Sequence, residues 1–208
     1  MCNPDHTTPL QSELYPDKRA IIQSISATYS PLSDPCQAEI INNFHLKRLD
    51  KNTLLIKEGQ FANSIFFIIE GAARAFYLKD GKDISDWFAF EHDFICAINS
   101  FFLDVPSPHY IELLEPCTLL EISKSDFERL TNTYHDFERL ARVVVTKTML
   151  QLQQRIVAVQ FETALQKYEN LIALRPDITQ RVALSHIASY LGITIETLSR
   201  IRKPKSGF

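Results

Sequence analysis

The spacing of apolar residues changes twice along this chain. It is helical up to about Phe44, strand-like from Thr53 to Ile122, and helical again from Ser125 onward. The first part predicts one helix through Ile21, Ile22 and Ile25 and a second from Asp34 to Phe44, with Asp34 as the cap. The pattern therefore predicts an α+β fold in which strands lie between helices.

Short apolar runs fill the middle of the chain, and turn residues separate them. Asp80-Gly81, between two of these runs, is a strong hairpin signal. Short strands at this spacing predict a β-sandwich or jelly roll, which holds a ligand between its sheets or holds nothing. The predicted strands are Thr53–Ile56, Ile65–Ile69, Ala73–Leu78, Ile84–Phe90, Tyr110–Leu114 and Thr118–Ile122.

A long helix is predicted from about His135 to Val159, after a short helix with a capping box of Ser125 and Glu128. One apolar stripe runs along the long helix, which would be about 37 Å long at 1.5 Å per residue. Such a stripe packs on its own jelly roll or pairs with a second copy, and we favour the dimer. The stripe consists of Ala141, Val145, Thr148, Leu152, Ile156 and Val159.

The stretch Leu184–Ile201 predicts two short helices joined by a tight turn at Gly192. Ala188 is small enough for the second helix to cross closely over the first, and Thr194 is a good N-cap. The alternative is an ordinary helical corner packed in a core, but the second helix carries too many polar residues to bury. We therefore expect a helix-turn-helix that enters the DNA major groove. The expected DNA-contacting residues are Thr194, Ile195, Glu196, Thr197, Ser199, Arg200, Arg202 and Lys203.

The distribution of charge agrees with a nucleic-acid partner at one end of the chain. The whole chain of 208 residues carries a formal charge of -3. Residues 181–208 contain five Lys or Arg and one acid, a net +4, so the remainder carries -7. A basic end on an acidic body concentrates phosphate attraction at that end.

Several classes of protein are not expected. There is no run of about 18 apolar residues and no apolar signal core near the N-terminus, so no membrane segment is expected and the cytoplasm is the expected compartment. The four cysteines and six histidines are too scattered for an iron–sulfur cluster or a zinc site. An enzyme resembling metal-dependent cupins would need converging ligands, but His92 and His109 lack a spaced partner. No enzymatic activity, metal or cofactor is therefore expected.

The order of a β-roll, a long helix and a C-terminal helix-turn-helix resembles the Crp/Fnr superfamily of bacterial transcription regulators. The resemblance rests on Ile65–Gly71, Ala73–Tyr77 and Ile187–Lys203. The sequence pattern of these segments is similar to that of the Bacteroidetes branch. We divide the chain into a loose arm over 1–15, a sensor-type β-roll with flanking helices over 16–133, a dimerisation helix over 134–160 and a helix-turn-helix domain over 161–208. The last domain is expected to be winged-helix-like with a short or absent final wing.

The resemblance implies a homodimer that binds double-stranded DNA, with RNA polymerase and an unidentified small-molecule effector as candidate partners. In the family, a glutamate and an arginine one turn apart read bases, and these match Glu196 and Arg200. Guanidinium pairs bidentately with guanine, and carboxylate accepts from cytosine N4. The two side chains could instead form only a surface ion pair.

The sensor half departs from the pattern of the cyclic-nucleotide-binding members. Cys96 and Ala97 stand where those members carry Gly-Glu for the ribose, and the position of the phosphate-binding arginine falls near Ser107. No Lys or Arg occurs between Lys82 and Lys124. A buried phosphate without a cation is poorly compensated, so we do not expect cyclic AMP to bind in the usual way. The matching effector-pocket residues are Cys96, Ala97, Asn99, Ser100 and Ser107.

Two functions follow from these patterns. The first is a sequence-specific transcription regulator with a sensor β-roll whose effector is unknown or absent. The alternative is a regulatory ligand-binding protein whose C-terminal helices contact protein rather than DNA, and the +4 segment argues against it.

Overall fold

A computed structural model describes residues 17–202 of the chain. The predicted N-terminal arm, Lys203 and the predicted final wing lie outside the described residues. Helices stand at both ends and the strands lie between them, in the predicted order. The elements are α1 Lys18–Thr28, α2 Asp34–Asn43, β1 His45–Leu49, β2 Leu54–Ile56, β3 Ser64–Glu70, β4 Ala73–Lys79, β5 Lys82–Ala89, β6 Phe94–Ile95, α3 Ile98–Leu103, β7 Tyr110–Leu113, β8 Cys117–Ser123, α4 Lys124–Thr133, α5 His135–Phe161, α6 Ala164–Leu174, α7 Ile178–Arg181, α8 Leu184–Tyr190 and α9 Ile195–Ile201.

The strands form two four-stranded sheets whose described pairings are all antiparallel. The first sheet has the order β1-β8-β3-β6 and the second the order β2-β7-β4-β5. Alternate residues of β3 and β8 point to opposite faces, as the strand period of two requires. One face of the first sheet therefore meets the second sheet, and the other meets helices.

Side chains of the two sheets fill the space between them. Small side chains take a large share of this core. Its buried members are Ile56, Ala62, Phe66, Ile68, Ala73, Ala75, Ala89, Ile95, Ala97, Ile111, Leu113, Cys117 and Leu119. A second core lies between the first sheet and helices α1, α2, α4 and α5, where Phe44, Phe67 and Leu130 are buried.

The ends of the helices differ from the prediction at two caps. Ser33 occupies the N-cap position of α2 and Asp34 is already helical, so Asp34 is not the cap. In α4 the cap is Ser123, whose Oγ accepts from the Asp126 N–H at 3.1 Å, and the predicted box at Ser125 is wrong. Strand pairing explains the position of the α4 cap, because β8 continues to Ser123, opposite Ser64, and the helix starts directly after it.

Gly71 is required at the turn between β3 and β4. Its φ is +105°, and a Cβ there would lie 2.5 Å from Cys117 Sγ. Only glycine meets both conditions without strain.

The long helix α5 extends two residues beyond the predicted end at Val159. Phe137 and Leu140 near its start are buried in the core beside the first sheet. Further along, the predicted stripe is half-buried at Thr148 and Leu152 but exposed at Ile156 and Val159. Within residues 17–202, no helix is long and apolar enough to cross a membrane.

The C-terminal helices pack on the β-roll rather than standing apart from it. A third core joins Ala72, Phe88, Phe90 and Leu114 of the β-roll to residues of α7, α8 and α9 and their connections. The members of this core from the C-terminal helices and their connections are Ile178, Val182, Ile187, Ala188, Leu191 and Leu198. The β-roll thus completes the apolar core of the last three helices.

Candidate nucleic-acid interface and effector region

Helices α8 and α9 are joined by a tight turn whose geometry follows from its sequence. Gly192 takes a φ of +65°, and the Ile193 N–H donates to the Ala188 carbonyl at 3.0 Å. Thr194 caps α9, since its Oγ1 accepts from the Thr197 N–H at 3.2 Å. These contacts fix the start and the direction of α9 relative to α8.

One side of α9 is buried and the other is open. Leu198 is 0% exposed and anchors the helix in the third core. Most of the predicted DNA-contacting residues are exposed to solvent, and Ile195 is 44% exposed. Thr197 is the half-buried one among the described members. The exposed ones are Thr194, Ile195, Glu196, Ser199, Arg200 and Arg202. A shallow open depression is lined by Ile195, Glu196, Ser199 and Arg200, which places these four side chains on one surface.

Glu196 and Arg200 do not neutralise each other. Among the ion pairs formed by residues 17–202, none joins the two side chains. Hydrogen bonds from its own backbone N–H and from Thr194 hold the pKa of the fully exposed Glu196 below its ordinary value. Both groups are therefore charged and open to an external partner.

Arg181 differs from the other basic residues of the C-terminal segment. Its guanidinium pairs with Glu91 at 2.6 Å, with Asp177 at 3.1 Å, and with Glu115. These pairs raise the pKa of the guanidinium, Glu91 contributing most. Arg181 therefore adds no free positive charge, and the open basic side chains among the described residues of α9 and its C-cap are Arg200 and Arg202.

The residues matched to the effector pocket differ in their burial and in their hydrogen-bond partners. Ala97 is fully buried in the core between the sheets, while Asn99 lies exposed on α3. Ser100 Oγ accepts from the Ala62 N–H at 2.7 Å, and Ser107 Oγ donates to the His109 carbonyl at 2.7 Å. Both hydroxyls thus support the local backbone.

Cys96 borders this region, and burial raises the pKa of its thiol to about 12. Burial also raises the pKa of the thiols of Cys36 and Cys117, which are free as well. Such thiols carry almost no thiolate near neutral pH and are poor nucleophiles and metal ligands. Over the described part of the chain, no group of three or more His, Cys, Asp or Glu side chains is placed to hold a metal ion.

The sequence pattern did not predict the part that His109 takes in this region. The side chain is buried at 7% exposure, and its ring lies 5.3 Å from that of Tyr77. Burial lowers the pKa of His109, so the imidazole is neutral near pH 7. Both ring nitrogens are without a partner among the described residues. A neutral imidazole cannot supply the positive charge that a cyclic phosphate needs.

Comparison with known proteins places these features in a family context. Residues 46–134 match the family model of the cyclic nucleotide-binding domain. A search of curated protein sequences gives no significant match.

Several solved structures share the fold at low sequence identity. CLP, the c-di-GMP responsive global regulator of Xanthomonas campestris, is 15% identical, with 81% of this chain and 89% of that chain covered and a TM-score of 0.63. FixK2 from Bradyrhizobium japonicum is 18% identical, with 76% and 82% covered and a TM-score of 0.64. A protein from Eubacterium rectale assigned to the crp/fnr family of transcriptional regulators is 15% identical, with 82% of each chain covered and a TM-score of 0.64.

These likenesses confirm the predicted fold class, an α+β chain with an N-terminal jelly roll, a long helix and C-terminal helices. The Bacteroidetes branch stays a prediction. The chain is similar to the cyclic nucleotide-binding domain over residues 46–134 and has the fold of solved Crp/Fnr regulators.

Proposed function

We propose that this chain is a sequence-specific DNA-binding transcription regulator that acts as a homodimer. In this proposal residues 16–133 form the sensor, residues 134–160 the dimer helix and residues 161–208 the DNA-binding unit. The observation that carries it is the open polar side of α9, where Glu196, Ser199 and Arg200 are exposed while Leu198 is fully buried. Helices of this kind are placed in the major groove by helix-turn-helix proteins.

The side chains on α9 have the chemistry that base reading needs. Arg200 can donate two parallel hydrogen bonds to guanine O6 and N7, and Glu196 can accept from cytosine N4. Since the two are not paired with each other, neither bond requires an internal ion pair to break. Arg202 follows the helix and is exposed, so it is placed to meet a phosphate.

The exposed apolar side of α5 supports the homodimer. Monomeric proteins seldom leave a contiguous apolar strip of this kind in water. A second copy would bury it in a parallel helix pair, and the symmetric dimer would present two recognition helices to two half-sites. The exposed members of the strip are Val145, Met149, Ile156 and Val159, each more than half exposed.

We infer that the sensor does not hold a cyclic nucleotide in the manner of the nucleotide-binding members. The absence of Lys and Arg between Lys82 and Lys124 supports this, as do the buried Ala97 and the engaged hydroxyl of Ser107. The effector, if the regulator has one, is then a molecule without a buried phosphate. RNA polymerase is a candidate further protein partner of such a regulator at a promoter.

Selection of bound fragments from random double-stranded DNA with the purified full chain tests the proposal. The expected result is an inverted repeat whose half-sites are separated by about one helical turn, the spacing that a symmetric pair of recognition helices imposes. Binding without sequence preference, or no binding, would contradict it. In that case the C-terminal helices would be better explained as a surface for another protein.

A further inference from the structure

The guanidinium of Arg181, at the end of α7, is saturated by carboxylates. Its Nε donates to Glu115 at 3.1 Å, and Nη1 donates to Glu91 at 2.9 Å and to Asp177 at 3.1 Å. Nη2 donates to Glu91 at 2.6 Å and also to Glu115. An arginine has five N–H donors, and all five are used here. None is left for a DNA phosphate.

Two of the three carboxylates belong to the β-roll. Glu91 follows β5 and Glu115 follows β7, whereas Asp177 precedes α7 on the same segment as Arg181. Glu91 is itself fixed, because its Oε1 accepts from the Gly71 N–H at 2.9 Å. Arg181 therefore ties the start of the C-terminal helices to two separate points on the β-roll.

A second tie holds the far end of α8. Ser189 Oγ accepts from the Ser85 N–H at 2.9 Å and donates to the Asp83 carbonyl at 3.0 Å. Ser85 and Asp83 lie on β5, the edge strand of the second sheet, so the hydroxyl satisfies backbone groups that an edge strand leaves open. The Tyr190 ring packs beside Phe88 at a centroid distance of 5.0 Å.

These ties determine where α9 points. The turn from α8 to α9 is fixed by the bond from Ile193 N–H to the Ala188 carbonyl, so α9 cannot reorient freely while α8 is held. The β-roll contacts α8, which packs against the buried side of α9, and the polar side of α9 stays open. The docked arrangement is therefore compatible with DNA contact and reduces the orientations that DNA binding would otherwise have to select.

We infer that Arg181, held by Glu91 and Glu115, is a positioning residue for DNA binding that fixes α8 and α9 on the β-roll and makes no phosphate contact. This inference rests on the proposed function. It assigns to the β-roll a hold on α7 and α8, and through α8 on the recognition helix α9, in addition to the covalent route along α5 and α6. If only one undocked molecule in ten remains competent, the apparent affinity falls about tenfold.

The test compares two variants that remove the same number of negative charges. The first is the double variant Glu91→Gln/Glu115→Gln, which weakens the hold on Arg181. The control is Glu58→Gln/Glu128→Gln, at two exposed carboxylates that form no ion pair among the described residues. The two variants therefore have the same net charge.

We expect Glu91→Gln/Glu115→Gln, the docking variant, to bind the selected DNA site about tenfold more weakly than the control. The slope of log affinity against log salt concentration should be the same for both. Ser189→Ala should act in the same direction and should speed amide hydrogen exchange at Ser85, which is measurable without DNA. Arg181→Gln should leave the salt slope unchanged, whereas loss of a phosphate contact would reduce it by about one unit.

Equal or tighter binding by the docking variant, or a reduced salt slope for Arg181→Gln, would overturn the positioning role while leaving the proposed function intact. A parent protein without sequence-specific binding would overturn both. Unchanged exchange at Ser85 in Ser189→Ala would show that the α8 tie is not formed in solution and would also overturn the inference.

Discussion

Arg155 of the long helix α5 donates to Asp86 Oδ1 on β5 at 2.8 Å, and its guanidinium lies 4.7 Å from the centre of the Tyr190 ring on α8. This side chain of the long helix thus contacts both the β-roll and the C-terminal helices. Because α5 is expected to lie at the dimer axis, this contact connects the dimer helix to the DNA-binding unit without passing through the chain between them.

Arg155→Ala should therefore lower the free energy of unfolding by about 1 kcal/mol, since a partly exposed ion pair and a cation–π contact are lost. Urea unfolding of the purified protein measures the change. Arg142→Ala is the matched control, because Arg142 is exposed on the same helix and forms no ion pair among the described residues. An equal effect of the two substitutions would show that the Arg155 contact contributes nothing.

The dimer prediction is tested on the exposed part of the α5 stripe. Ile156→Asp places a carboxylate in the proposed interface of each copy, and burial of unpaired charge costs several kcal/mol. The dimer dissociation constant should rise by more than about a hundredfold, which sedimentation velocity can follow.

Val157→Asp is the control for Ile156→Asp. Val157 is 47% exposed but lies about 100° around the helix from Ile156, outside the stripe. It should leave the dimer in place. A dimer that survives Ile156→Asp and is lost in Val157→Asp would place the interface on another side of α5.

Glu91 should make the stability of the protein depend on pH in acid. Burial raises the pKa of this carboxyl, but hydrogen bonds from Arg181 and from backbone N–H groups outweigh burial and bring its pKa to about 2, against an ordinary value of 4.5. A carboxyl whose pKa is lowered by folding stabilises the folded state above its unfolded pKa, and this stabilisation is lost as the pH falls towards 2.

The stability of the parent relative to Glu91→Gln should thus be constant above about pH 5 and should decrease between about pH 5 and pH 2. Urea midpoints measured across this range give the difference. A difference that does not change with pH would mean that Glu91 is not held by Arg181 in solution.

Cyclic AMP and cyclic GMP should show no saturable heat in calorimetry at about millimolar nucleotide. A dissociation constant above about 1 mM corresponds to a binding free energy weaker than about 4 kcal/mol. The physical reason is that Ala97 and Ser107 stand at the positions of the ribose-binding carboxylate and the phosphate-binding arginine, and neither side chain carries a charge. A micromolar dissociation constant would show that the region rearranges to accept the nucleotide, and that the filled core between the sheets opens.

The sequence predicts most of what depends on local pattern. The six predicted strands match β2, β3, β4, β5, β7 and β8, and the cap at Thr194 and the turn at Gly192 form as expected. Periodicity, cap chemistry and turn chemistry act within a few residues, so one chain is enough to recognise them. β1 was missed because His45–Leu49 carries three polar residues among five and is stabilised by pairing with β8.

Contacts between distant parts of the chain could not be predicted in this way. Arg181 looks like one more basic residue of a DNA-binding segment, and its partners Glu91 and Glu115 stand 90 and 66 residues away. Ser189 is likewise an ordinary polar residue until β5 is seen beside it. No periodic pattern marks such pairs, because each depends on how the third core brings the helices onto the β-roll.

The most direct test of the central claim is the affinity of Arg200→Ala for two DNA duplexes, the selected site and the same site with one symmetric guanine of each half-site replaced. Arg200 is exposed on the open side of α9 and is not paired with Glu196, so a bidentate contact with guanine should give about 1–3 kcal/mol of discrimination. We expect the parent protein to distinguish the two duplexes by about tenfold to a hundredfold and Arg200→Ala to bind both alike, at the level of the parent on the altered site. If Arg200→Ala distinguishes the two duplexes as well as the parent does, Arg200 does not read that base and the proposed recognition by α9 is wrong.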